Sequence, residues 1–158
     1  TVTRLSGIFN PYGPRMNTFD VRVVSQFIRQ AWSKQDIVIY GDEQQKRSFC
    51  YCGDPIEGII RMMEGPADFI GPVNLRNPSE FTIKELAELT IEMTDSKSNL
   101  MYAPLPADDP TRRQPDITLA KTKLGWEPKI ELREGLAKTI EWFRQINLDD
   151  FRPPTPNY

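Results

Sequence analysis

The stretch PVNLRNPSEFTIKELAELTIEMT, residues 72–94, reads as one short strand followed by one helix. PVNLR (72–76) is the strand. Thr82 and Glu85 stand three apart, which is the spacing of a capping box, in which each side chain satisfies a backbone N–H at the helix start. Ile83, Leu86, Ala87, Thr90 and Ile91 then recur at helical spacing and predict one buried stripe over 82–94.

The same alternation continues on both sides. Upstream, DPIEGIIRMM (54–63) carries helix-start chemistry: Asp54 as cap, Pro55 at the first helical position and Glu57 completing a second capping box. RSFCYC (47–52) reads as extended. IVIY (37–40) is a β-branched strand leading into the polar turn GDEQQK (41–46). Val23, Val24, Phe27, Ile28 and Ala31 share one side of a helix over 20–32, and TRLSGIF (3–9) is a strand that ends at the turn NPYGPR. Downstream, the proline-rich loop APLPADDPTRRQPD precedes a short helix, ITLAKTKL, that stops at Gly125. LREGLAKTIEWFRQI (132–146) turns Leu132, Leu136, Ile140 and Phe143 inward, and RPPTPNY forms a tail. Trp126 and Trp142 are expected in the packing, with Met62 and Met63 as gap-fillers. The chain is mixed α/β.

Composition narrows the chemistry. The 158 residues suffice for one domain, and 39% hydrophobic with 27% charged residues describes a globular chain. A net charge of −2 gives no pull toward nucleic acid or an anionic membrane. No apolar run approaches the ~18 residues of a membrane helix. No export signal opens the chain; the start lacks Met and already reads as a strand, so a preceding segment is expected. With no histidine, Ser-His-Asp triads and most zinc sites are excluded, and no metal site is expected. Cys50 and Cys52, two apart in a strand, would share a face without bridging and read as packed thiols of a reducing compartment. The cytoplasm is the expected location.

Five motifs in order, IFNPYGPRM (8–16), IYGDEQQKRSFCY (39–51), VNLRNPSEFTIKELAELTIEMT, PLPADDPTRRQPDI (104–117) and LGWEPKIELREGLAKTIEWF (124–143), carry a resemblance. Together they resemble the extended short-chain dehydrogenase/reductase (NAD-dependent epimerase/dehydratase) enzymes that act on nucleotide sugars. Within them the likeness is to the UDP-glucuronate decarboxylase branch, which makes UDP-xylose, more than to epimerases or dehydratases.

The resemblance implies a Rossmann-type α/β fold of which this chain is the C-terminal substrate-binding lobe, with the last strands of the parallel sheet and several helices. Residues 1–146 are then a UDP-sugar-binding half, and 147–158 a proline-rich tail. Members bind NAD on a glycine-rich turn and use a Tyr-x-x-x-Lys pair for proton transfer at the sugar 4-hydroxyl. Neither signature is present: no glycines fall in the G-x-x-G-x-x-G pattern, and Tyr12, Tyr40, Tyr51, Tyr102 and Tyr158 have no lysine four positions on. The NAD-binding half is therefore absent, no catalytic residue is assigned, and neither catalysis nor bound NAD is expected of this chain alone. An opening strand cut from its sheet is expected to seek the missing half or to self-associate.

Residue by residue, the resemblance assigns Arg47 and Arg113 to the diphosphate, Asn10 to the nucleotide sugar, Arg22 to the substrate lobe near it, and main-chain groups at Val38 to Tyr40 to the uracil edge. The types suit the task, since a guanidinium forks onto a phosphate and an asparagine amide donates without adding charge. Simpler readings stand beside these. On these, Arg47 pairs with Asp42 or Glu43, Arg113 belongs to a solvated cluster with Asp108, Asp109 and Arg112, and Asn10 builds the turn before Gly13. The chain also departs from the family pattern, with Gly7 where arginine is usual, Val21 and Glu43 where glycine is, and Tyr51-Cys52-Gly53-Asp54-Pro55 at the start of a helix. A non-enzymatic binding module, or half of a related epimerase or 4,6-dehydratase, is the alternative.

Overall fold

The computed structural model describes residues 3–20, 22–41, 45–104 and 115–146. The elements run β1 (Ser6–Gly7), β2 (Pro11–Tyr12), α1 (Val23–Trp32), β3 (Ile37–Tyr40), β4 (Lys46–Ser48), β5 (Cys50–Tyr51), α2 (Gly53–Glu64), β6 (Val73–Asn74), β7 (Glu80–Thr82), α3 (Ile83–Thr94), β8 (Leu100–Ala103), α4 (Thr118–Leu124) and α5 (Leu132–Gln145). The strands pair two by two. β1–β6, β2–β5 and β3–β8 are parallel, and β4–β7 is antiparallel with Arg47 opposite Phe81. Mixed α/β is therefore the architecture.

Two apolar clusters hold these pairs together. In the larger one, Phe27 and Ile28 of α1, Leu86 and Ala87 of α3, and Leu136, Ile140 and Phe143 of α5 close over Ile37 and Ile39 of β3. The smaller one gathers Met62, Val73, Leu75, Ile117 and Ala120 around Trp126, which is 1% exposed. Here α2 lies almost against the strand: a Cβ on Gly58 would sit 2.6 Å from Leu75 Cδ2. Of the two methionines, Met62 fills this core, whereas Met63 is 70% exposed.

The inward stripe read on α5 is buried as expected, at Leu132, Leu136, Ile140 and Phe143. The stop at Gly125 also holds, with the glycine left-handed at φ 58°. At the start of α3 the reciprocal box forms: Glu85 N–H donates to Thr82 Oγ1 at 3.0 Å and Thr82 N–H to Glu85 Oε2 at 2.7 Å. The stripe beneath it is buried at Ile83, Leu86, Ala87 and Thr90.

The start of α2 differs from the sequence reading. Cys52, not Asp54, precedes the helix, and no side chain caps it. Asp54 is buried, and its Oδ2 accepts the Ile130 N–H at 3.2 Å while its carbonyl accepts Trp126 Nε1 at 2.8 Å. The carboxylate is claimed by the chain segment that enters α5, because an unsatisfied amide there would cost more than an uncapped helix end. Glu57 likewise reaches Arg61, one turn on, and Lys129 at 3.3 Å rather than the helix start. Cys52 leaves the strand at this point, so the two thiols do not share a strand face; both are free, Cys50 buried and Cys52 half-buried. Burial pushes the Cys50 thiol up to about 12.

Thr82→Ala removes the acceptor of the box and is expected to lower stability by about 1 kcal/mol. Urea unfolding checks this; an unchanged midpoint would mean that packing alone fixes α3.

Candidate functional site

A cleft of about 240 Å³ opens between α1, β3 and the β4 segment. Each wall follows from a local rule. Period-3.6 spacing on α1 turns Gln26 and Phe27 toward the cleft, Phe27 with its base in the core. Val38 and Tyr40 are the β3 residues that alternate away from buried Ile37 and Ile39, and both line it. Gln45, Arg47 and Phe49 come from the β4 segment, Ile83 from the start of α3, and Asn10 from the turn after β1.

The backbone at β3 has the same polarity of arrangement. The N–H groups of Ile37 and Gly41 donate to Asn99 and Ala103 of the β8 side at 2.9 and 2.8 Å. Alternation turns the amides of Val38 and Tyr40 to the opposite edge, which no strand among the described residues covers. These amides and carbonyls are thus available to a planar polar ring edge.

Arg47 is half-buried, and its Nη1 donates to the Lys46 carbonyl at 2.9 Å. The described residues that line the cleft include this guanidinium. Asn10 is held in a left-handed turn at φ 46°, a conformation asparagine tolerates, and its Nδ2 donates to the Ser48 carbonyl at 3.1 Å. It builds the turn and faces the cleft, so both roles read for it are compatible.

Sequence reasoning named Asn10, Val38, Tyr40 and Arg47, and the fold brings all four to one cleft. Arg22 lies elsewhere: it precedes α1, its Nε donates to Asp20 Oδ2 at 2.6 Å, and it is not among the lining residues. Arg113, like Asp42, Glu43, Asp108, Asp109 and Arg112, lies outside the described residues. As site residues, the reading passed over Val23, Gln26, Phe27, Gln45, Phe49 and Ile83. Of these, Phe49 and Gln45 could have been found from their alternation with Arg47.

The described residues offer no catalytic centre of a familiar kind. No group of histidine, cysteine or acidic side chains among them could hold a metal. Tyr51 does have a lysine near it, with Lys138 Nζ 5.4 Å from its ring centroid, but burial pushes its hydroxyl above the usual tyrosine range. Lys138 is in turn bound to Glu134 at 2.7 Å, which raises rather than lowers its own affinity for a proton. No helix among the described residues is long and apolar enough to cross a membrane.

Comparison with known proteins gives a consistent family. The family model described as GDP-mannose 4,6 dehydratase matches residues 2–139. UDP-glucuronic acid decarboxylase 2 of Arabidopsis thaliana is 50% identical over 142 residues, covering 90% of this chain and 32% of that protein. Among solved structures, UDP-glucose 4-epimerase of Thermotoga maritima with UDP-glucose superimposes with a TM-score of 0.80 at 32% identity, covering 86% of this chain and 44% of that one. MoeE5 in complex with UDP-glucuronic acid and NAD gives 0.81 at 26% identity, with 89% and 46% covered. The chain thus spans about a third of the curated relative and under half of each solved chain. Over that span it belongs to the GDP-mannose 4,6 dehydratase family of extended short-chain dehydrogenase/reductase proteins, with a Rossmann-type α/β fold.

Proposed function

We propose that this chain is the nucleotide-sugar-binding half of an NAD-dependent UDP-glucuronate decarboxylase. The observation that carries the reading is the cleft that Arg47 shares, among the described residues, with Asn10 and the open edge of β3. Uracil lies along Val38 to Tyr40, where backbone groups read its edge and the apolar walls exclude water. Arg47 forks onto the diphosphate from a half-buried strand position, where its charge counts for more than on open surface. Asn10 has one amide hydrogen left after its bond to Ser48, for a phosphate or sugar oxygen. Arg113 joins them on the strength of the motif PTRRQPD alone, and Arg22 on resemblance alone.

The likeness to decarboxylases, at 50% identity, supports reading the sugar as the charged UDP-glucuronate rather than the neutral sugar of the epimerase. NAD has no dinucleotide turn to sit on in these residues, so it belongs with a separate half of the complete enzyme. There its chemistry is to take hydride from the sugar 4-position and return it after CO2 has left. This chain's part is to hold the nucleotide so that the sugar reaches that half. The free thiols suit a reducing cytoplasm.

Partner binding follows from the surface. β1 has one neighbour, β6, and Leu5 and Ile8 beside it are 56% and 36% exposed. Ile56, Ile60 and Met63 of α2, spaced along one side of the helix, are exposed as well. These residues form the docking face for the NAD-binding half, and without it they drive self-association.

Three outcomes are expected. In calorimetric titration the chain binds UDP, and Arg47→Ala weakens it by about tenfold or more; equal affinity of the two would contradict the assignment. Given UDP-glucuronate and NAD, the chain alone yields no UDP-xylose, and product formation would refute the half-enzyme reading. Sizing with light scattering at high concentration gives a species larger than the monomer; a clean monomer would count against the docking face.

A further inference from the structure

On the far side of Asn10 and Arg47 from β3 lies a second, smaller cavity of about 10 Å³, lined also by Phe9, Ser48, Arg76 and Pro115. That is room for about one water-sized group. Arg76 enters it from the chain just after β6. Its guanidinium lies over the Phe9 ring, 5.1 Å from the centroid. Its Nε is buried and has no hydrogen-bond partner among the described residues, and no carboxylate among them pairs with the side chain.

The backbone makes space for this placement. Gly7 of β1 stands opposite Asn74, and a Cβ on it would meet Asn74 Oδ1 at 2.8 Å and Arg76 Nη2 at 3.5 Å. A side chain at position 7 would therefore crowd the guanidinium. A buried donor of a charged group without an acceptor is costly, and in native structures such a group calls for a ligand or a water. The surroundings narrow the ligand's chemistry: two arginines and an asparagine amide converge on a space that admits one oxygen, and no acidic side chain among the described residues lines it. An anionic oxygen fits.

We propose that Arg76 is a further guanidinium of the nucleotide-sugar site, besides Arg47 and Arg113, and contacts the distal phosphate. This rests on the nucleotide reading of the cleft. With uracil along β3 and Arg47 at the middle of the site, the order along the surface is Val38 and Tyr40, then Asn10 and Arg47, then Arg76. The phosphate attached to the nucleoside meets Arg47 first. The next phosphate places one oxygen in the small cavity, where Arg76, stacked on Phe9, donates its Nε–H to it. Arg76 is thus a binding and positioning residue. By fixing the distal phosphate it fixes the origin of the sugar that extends from it.

The test is titration of the full chain, and of its Arg76→Met, Arg76→Lys and Arg47→Ala variants, with UDP and with UMP, which lacks the distal phosphate. Methionine keeps an apolar body over Phe9, and UMP binding reports that the cleft is intact. Arg76→Met is expected to weaken UDP by about tenfold while leaving UMP within about twofold, with Arg76→Lys between wild type and Met. UDP binding by Arg76→Met at wild-type strength, with Arg47→Ala weakened, would overturn this proposal and leave the nucleotide reading standing. Equal loss of UDP and UMP in Arg76→Met would overturn it too, marking Arg76 as a packing residue. Failure of the unmodified chain to bind either nucleotide would remove the nucleotide reading and this proposal together.

Discussion

The antiparallel pairing of β4 with β7 is the constraint on which the site depends. Arg47 stands opposite Phe81, and Lys46 opposite Thr82, the residue that caps α3. Ile83 N–H then donates to the Gln45 carbonyl at 3.0 Å, and Asn77 Nδ2 to the Phe49 carbonyl at 3.1 Å. Residues 45–49 are thereby tied at one end to the start of a helix whose inner face is buried in the main core and at the other to Asn77, in the segment between β6 and β7. A guanidinium on a free loop would lose side-chain and backbone entropy on meeting a phosphate; here much of that ordering is complete before any ligand arrives.

The same economy of placement explains why the cleft is walled by core residues. Phe27 and Ile83 belong to the larger apolar cluster and also line the cleft, and Phe49 does the same beside Arg47. A ligand placed there would rest on side chains already fixed by packing. The second cluster, around Trp126, has a different task. It joins α2 and α4 to β6 and so sets the direction in which the chain leaves β6 at Arg76.

Much of this was legible in the sequence, and the failures have a common cause. The capping box at Thr82 and Glu85, the stop at Gly125 and the stripe of α5 are local signals, and they appear in the fold where the spacing puts them. Asp54 was misread because Asp-Pro is a good local helix start, whereas its carboxylate is drawn to Ile130, remote in sequence. β2 and β8 escape a period-based reading because each exists only through a distant partner: Pro11 beside Cys50, and Leu100 beside Ile37. Asn10, Val38, Tyr40 and Arg47 are named through resemblance to a family, which carries long-range information that spacing does not, and the fold brings them to one cleft. Arg76 shows the limit of both, since its setting depends on Gly7 and Phe9 across a strand pairing.

The most direct test of the central claim, that this chain carries a preformed nucleotide-sugar site, is an amide chemical-shift map of the labelled chain during titration with UDP. The account predicts saturable shifts confined to Asn10, to Val38 through Tyr40 and to Gln45 through Phe49, with the Arg76 side-chain Nε–H moving with them. Shifts centred elsewhere, such as the exposed side of α2 at Ile56, Ile60 and Met63, or no shifts at millimolar UDP, would contradict it.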